Sequence, residues 1–206
     1  MPPYSRCYRI VRSSSPSDVA VRVALPYTLG THDFVARDVQ GTVKVGSDPL
    51  RVIGGRLSVP IASLDAGKKT LECHMREALG LDYARSHFPA AHVCENDKLP
   101  ISGGDAVVFP DIVFELTGSR ILDEKGNAVR LEVFGHWTIH GVSRDDKLDV
   151  RVSVASGTLA HPTSLRVDGD ARIRLPDYGV RVKPALFIRA GDEARLHFNL
   201  VLAETQ

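Results

Sequence analysis

Residues 135–151 read GHWTIHGVSRDDKLDVR, with His136 and His140 four positions apart. That spacing puts both imidazoles on one face of either a helix or a strand. The neighbours decide between the two. From 129 to 139, Val129, Leu131, Val133, Trp137 and Ile139 alternate with Arg130, Glu132, His136 and Thr138. Apolar residues at every second position describe a strand with one dry face and one wet face. Both histidines then belong to the wet face, and Gly135, on the dry one, marks a bend or bulge. Gly141 is expected to end the strand.

The same rhythm runs outward from this stretch. Leu148, Val150, Val152 and Val154 alternate with Lys147, Asp149, Arg151 and Ser153, and Leu165, Val167, Ala171, Ile173 and Leu175 with charged neighbours. Ala194, Leu196, Phe198, Leu200 and Leu202 repeat the pattern near the end. Further strands are expected at 19–25, 42–45, 56–61, 111–117 and 182–188. Turn signals fall at Gly46-Ser47-Asp48-Pro49, Gly54-Gly55, Gly103-Gly104, 123–127 (DEKGN), Arg144-Asp145-Asp146 and 189–192 (RAGD). About eight or nine one-sided strands at this spacing make an antiparallel barrel or sandwich.

One segment departs from alternation. In TLECHMREAL, 70–79, Leu71, Met75, Ala78 and Leu79 recur at helical spacing, with Thr70 as N-cap and Gly80 as stop. A second helical turn is expected at 83–87, followed by an exposed polar loop, CENDKLPISGGD. No repeat or low-complexity segment divides the chain, so residues 5–206 read as one domain.

Composition narrows the function. Of 206 residues, 26 are Lys or Arg and 25 Asp or Glu, giving a net charge of +1 with no long run of either sign. That balance gives no electrostatic footprint for nucleic acid. No apolar run reaches the ~18 residues of an integral membrane helix. The amino terminus has no apolar block of signal-peptide length. The protein as written is expected to be cytoplasmic, or periplasmic if an export signal has been removed. A homodimer is compatible with the sequence.

Cys7, Cys73 and Cys94 are odd in number and form no CxxC pair, which argues against a disulfide framework or a structural zinc site. Cys73 is expected to be a small buried or half-buried thiol rather than a nucleophile served by His74. There is no HExxH, no GxSxG and no Walker or Rossmann glycine pattern, so neither a catalytic residue nor a cofactor is expected. Ser13-Ser14-Ser15-Pro16-Ser17 reads as a turn before the first firm strand.

Several segments in order resemble the YceI-like family: Ile61-Ala62-Ser63-Leu64-Asp65, then His74-Met75, then FPDIVF at 109–114, then GHWTIHGV at 135–142, then IRLPDYGV at 173–180. The likeness extends over roughly residues 30–203. It departs from the family pattern in a longer connection between Gly80 and Phe109, in Ala66 where a threonine is usual, in RLPDYG for the late motif, and in the absent signal peptide. The resemblance implies a mainly β fold: a single antiparallel eight-stranded lipocalin-like barrel with one or two short helices. It further implies non-catalytic binding or carriage of a long-chain isoprenoid or related lipid, polyprenyl or quinone in type, inside the barrel.

Physical chemistry is consistent with that implication. Only 6% of residues are aromatic, and the dry-face residues are mostly of medium size. An eight-stranded barrel walled by them either holds one slender ligand or packs solid. The expected wall is Ile61, Met75, Leu79, Ile112, Phe114, Leu116, Leu131, Val133, Trp137, Ile139, Val152 and Leu196. Arg174, Asp177 and Tyr178 are expected to support the rim. Two other readings compete: a metal-dependent enzyme or metal-binding protein built on His136 and His140, and a solid β-domain acting through its surface.

Overall fold

A computed structural model describes residues 5–11, 20–28, 30–47, 50–182 and 190–205. Its strands are β1 (Ser5–Ile10), β2 (Ala20–Tyr27), β3 (Gly30–Ala36), β4 (Gln40–Ser47), β5 (Leu50–Pro60) and β6 (Leu64–Asp65), followed by the helix α1 (Lys69–Gly80). After a long connection come β7 (Asp111–Lys125), β8 (Ala128–Ile139), β9 (Val142–Gly157), β10 (Pro162–Arg174) and β11 (Glu193–Glu204). Short 3-10 turns occupy Ile61–Ser63 and Leu175–Tyr178.

The strands form one antiparallel sheet in the order β1-β4-β5-β7-β8-β9-β10-β11, and β1 also pairs with β11. That last pairing closes an eight-stranded barrel and removes its open edges. On the side away from β10, β11 has two partners along its length. Leu202–Glu204 meets β1, whereas 195–199 meets β2, which leads to β3 and, through two residues, to β6. The wall is therefore completed by β1 at one end and by β2, β3 and β6 at the other.

Alternation explains the long strands. Along β8, Val129, Leu131, Val133 and Ile139 are buried, while Arg130 and Phe134 face water. Leu148, Val150 and Val152 on β9 and Leu196, Phe198, Leu200 and Leu202 on β11 repeat this and merge into one apolar core.

Several expectations are corrected. Gly54-Gly55 lies inside β5, not at a turn. A Cβ on Gly55, whose φ is +156°, would stand 2.5 Å from the Thr42 carbonyl oxygen, so the glycine admits the neighbouring backbone. Arg144-Asp145-Asp146 lies within β9. The β8–β9 turn is instead the pair His140-Gly141, both at positive φ (50° and 75°) between the partners Ile139 and Val142. Two consecutive left-handed residues match the twist of a tight hairpin.

Residues 83–87 form no helix. Asp82 holds one turn there, its carbonyl accepting from the Arg85 and Ser86 N–H groups. Thr70 lies inside α1, and the N-cap position, Lys68, makes no side-chain cap bond. β1, unanticipated, is the strand that closes the barrel. The turn expected at 13–17, the second half of the one expected at 46–49 and most of the strand expected at 182–188 lie outside the described residues.

Candidate ligand-binding cavity

Three apolar voids follow one another inside the barrel. The first, about 60 Å³, is walled by residues that include Val45, Leu50, Leu131, Val133, Val150 and Leu165. The second, about 90 Å³, shares Leu57, Phe114, Leu148, Phe198 and Leu200 with the first. The third, about 60 Å³, shares Val23, Leu64, Ile112 and Leu196 with the second and ends against Met75 and Leu79 of α1. A water needs at least two polar partners to settle in a cavity, and these walls supply almost none. The interior is therefore not solid.

The voids run the length of the wall. Leu131 borders the first, Trp137 the second and Ile139 the third. Eight residues of strand at ~3.3 Å each, tilted by ~40°, span roughly 20 Å of barrel axis.

Of the twelve wall residues expected from sequence, all but Ile61 border a void. Ile61 is buried, but it wedges under α1: a Cβ on Gly80 would lie 2.5 Å from its Cδ1. It supports the helix rather than the lumen. Sequence reasoning omitted much of the wall, including Val43, Leu57 and Phe34. These lie on short or glycine-interrupted strands, where few consecutive positions display the alternation.

Two glycines keep the lumen open. On Gly169 a Cβ would stand 2.5 Å from the Phe198 ring, and on Gly135 it would stand 2.7 Å from the Phe114 ring and 2.3 Å from the Glu115 carbonyl. Both phenylalanine rings border the first and second voids, and the missing Cβ atoms leave them room against the wall. Opposite Gly135 the register of β7 shifts between Leu116 and Gly118, which is a bulge.

Trp137 stands at the edge of the middle void. Its ring packs on Phe114 at 4.5 Å, and its indole N–H donates to the Asp146 carboxylate at 3.1 Å. The donor is satisfied toward the rim while the ring faces the lumen. Near the β1–β11 closure, the buried Tyr8 hydroxyl donates to the Pro162 carbonyl at 2.6 Å. Burial, reinforced by the Glu204 carboxylate, raises the Tyr8 phenol above its ordinary value. Rim contacts are polar: Arg174 donates to Asp177 at 2.9 Å, Arg144 donates to the Asp177 carbonyl, and Tyr178 is buried beside them.

The two histidines that open the motif part company. His136 lies on the outer face, its Nε2 2.8 Å from Glu115, which also accepts from Arg56 at 2.6 Å. His140 sits in the turn. Its ring packs against Tyr83 (4.3 Å) and Phe109 (4.8 Å), and its Nδ1 donates to the Leu79 carbonyl at 3.2 Å. Burial is the largest cause holding the His140 pKa below the ordinary histidine value, partly offset by the Leu79 bond. The positive φ of His140 breaks the strand period that would put the two rings on one face. The pair does not form a metal site.

The expectation that Cys73 is a free thiol is also corrected. Cys73 is bonded to Cys94, tying α1 to the connection between α1 and β7, while Cys7 is free and exposed. Two cysteines with 20 intervening residues carry no local signature, so spacing alone did not reveal the pair. Among the described residues no helix is long and apolar enough to cross a membrane.

With this geometry in view, comparisons with known proteins agree on the architecture. No curated protein matches the sequence. Solved structures do. A polyisoprenoid binding domain from Saccharophagus degradans, implicated in plant cell wall breakdown, superposes with a TM-score of 0.63 at 12% identity, over 96% of this chain and 98% of that one. BcnA of Burkholderia cenocepacia gives 0.56 at 18% identity, over 88% and 95%. The YceI protein of Campylobacter jejuni gives 0.57 at 17%, over 84% of each chain. At such identities the likeness speaks for the fold alone. The YceI-like domain itself matches residues 15–202, nearly the whole chain, and the protein belongs to the YceI-like family.

Proposed function

We propose that the barrel binds a single long, uncharged hydrocarbon chain, polyprenyl or prenylquinone in type, and holds or carries it without chemical change. The succession of three apolar voids along one barrel axis carries the reading. A compact ligand would want one round pocket. A slender chain fits narrow spaces joined end to end.

Such a ligand offers no charge, so its site needs area rather than directed hydrogen bonds. At about 0.8 kcal/mol per CH₂, ten buried units contribute roughly 8 kcal/mol before ordering costs. Among the described residues, Arg51 is the sole charged side chain on the walls of the three voids, and it borders the first. We place the polar head of the ligand at that end and the tail toward α1. The likeness to a polyisoprenoid binding domain supports the reading.

The test is a chain-length series. Prenyl alcohols of increasing length are titrated into lipid-stripped protein and followed by the emission of Trp137, the only tryptophan. Affinity is expected to rise with each isoprene unit and then level off once the lumen is full. A flat response to chain length would reject the proposal.

A further inference from the structure

On the outer face of α1, away from Met75 and Leu79, four groups converge: Cys73, Glu77, His92 and Cys94. One ligand-type atom from each lies within 4.8 Å of every other. We infer that, once its disulfide is reduced, this cluster is a metal site for Zn²⁺ or a similar thiophilic divalent ion. Cys73, Cys94 and His92 Nε2 are the ligands, and Glu77 is the residue that positions His92.

The geometry supports each role. His92 Nε2 lies 3.8 Å from Cys73 Sγ. Ligands bound to one zinc at ~2.3 Å (sulfur) and ~2.05 Å (nitrogen) stand about 3.6 Å apart at the tetrahedral angle, so both atoms already face a common point. The other ring nitrogen, Nδ1, lies 3.3 Å from Glu77 Oε1. A carboxylate on the far nitrogen of a ligating histidine sets its tautomer and orients the ring.

Glu77 is built for that task. Its side chain is 0% exposed, yet both oxygens are engaged: Oε1 by His92 and the Val93 N–H (2.8 Å), Oε2 by His74 Nδ1 (3.1 Å). A fully buried carboxylate is costly and is kept where partners or ions compensate it. Cys73 and Glu77 are i and i+4 on α1 and so share one helix face. His92 and Cys94 come from the connection that crosses that face. The His92 side chain is 41% exposed, leaving a route for the ion. Three protein ligands leave a fourth position for water, and the mixed sulfur and nitrogen set favours zinc over magnesium or calcium.

The redox step balances. A small dithiol reduces the Cys73–Cys94 bond: two electrons and two protons pass to the protein sulfurs, and the reductant leaves as its own disulfide. Zinc then binds both thiolates, and their protons go to solvent. Either state clamps the connection onto the helix that closes one end of the lumen.

The experiment compares oxidised and dithiol-reduced full-length protein, freed of reductant, in zinc titrations against a chromophoric chelator. Cobalt serves as the spectroscopic stand-in. Reduced protein is expected to bind one zinc per chain and, with cobalt, to show thiolate charge-transfer and tetrahedral d–d bands that oxidised protein lacks. His92→Ala, a change at a half-exposed side chain, is expected to lower affinity at least tenfold with unaltered Trp137 emission. Glu77→Gln is expected to lower it 10–100-fold while the cobalt bands persist. Equal zinc uptake by oxidised and reduced protein, or full affinity in His92→Ala, would overturn the assignment.

Discussion

Adding carbon to the first void is expected to stabilise the empty protein, opposite to the usual effect of enlarging a core residue. Val133 and Val150 lie on adjacent strands, are 3% and 4% exposed, and both border this void of about 60 Å³. An unfilled cavity costs about 24 cal/mol per Å³, hence about 1.4 kcal/mol here, and about 2.2 kcal/mol for the 90 Å³ void beyond it. Val→Ile adds one methylene and keeps the branched Cβ that strands favour. Val133→Ile with Val150→Ile therefore stabilises by up to about 1.6 kcal/mol at ~0.8 kcal/mol per CH₂. For a domain of this size that raises Tm by roughly 3–6 °C. The assay is thermal unfolding of lipid-stripped protein by circular dichroism, with prenyl alcohol titrations alongside. Prenyl affinity is expected to fall as stability rises, because ligand and side chain compete for one space. In a filled core the same methylenes would cost 1–3 kcal/mol each. A lowered Tm would mean that no room exists there for the added methylenes, and unchanged prenyl affinity would mean that the ligand does not occupy this void.

Other outcomes follow from single contacts. Gly169→Ala is expected to push the Phe198 ring into the lumen and weaken prenyl binding more than tenfold, read by Trp137 emission, because the new Cβ would stand 2.5 Å from that ring. Tyr8→Phe removes the bond to the Pro162 carbonyl beside the barrel closure and is expected to cost about 1–2 kcal/mol in urea unfolding. Reducing the Cys73–Cys94 bond, at a separation of 21 residues and with metal excluded by a chelator, is expected to cost about 3 kcal/mol by the chain-entropy relation. His140 predicts a pH effect. Its folded pKa lies below the ordinary 6.5, so below pH 6.5 the unfolded chain binds the proton more readily. Its stabilisation is present above pH 6.5 and is lost as pH falls toward the folded value. His140→Asn preserves a residue that tolerates positive φ and is expected to flatten this part of the stability–pH profile.

The barrel was legible wherever a strand is long and one-sided. β8, β10 and β11 declare themselves by alternation, and α1 by Leu71, Met75, Ala78 and Leu79. Legibility failed where tertiary contacts decide. Arg144 and Asp146 look like turn residues because β9 continues past the core to the rim. There Arg144 meets the Asp177 carbonyl and Asp146 accepts from Trp137. Gly54-Gly55 looks like punctuation because sequence cannot show a neighbouring backbone pressing close. His140-Gly141 replaces the commoner Asn-Gly of a tight hairpin, so the eye reads a ligand pair where the backbone makes a turn. The lumen wall was readable in part: inward positions on the long strands follow from period two, whereas Val43, Leu57 and Phe34 lie on strands too short or too interrupted by glycine to show it. The cysteine–histidine cluster was not, because a helix and an irregular connection bring it together without any local motif.

A long isoprenoid chain held in the lumen is expected to accompany the protein through purification. The most direct measurement is organic extraction and mass spectrometry of the protein purified without detergent. The predicted result is a long-chain isoprenoid, close to one per chain, that is lost in Val133→Ile/Val150→Ile. Repeated extraction yielding no long-chain lipid from folded protein would show that the lumen does not hold such a chain.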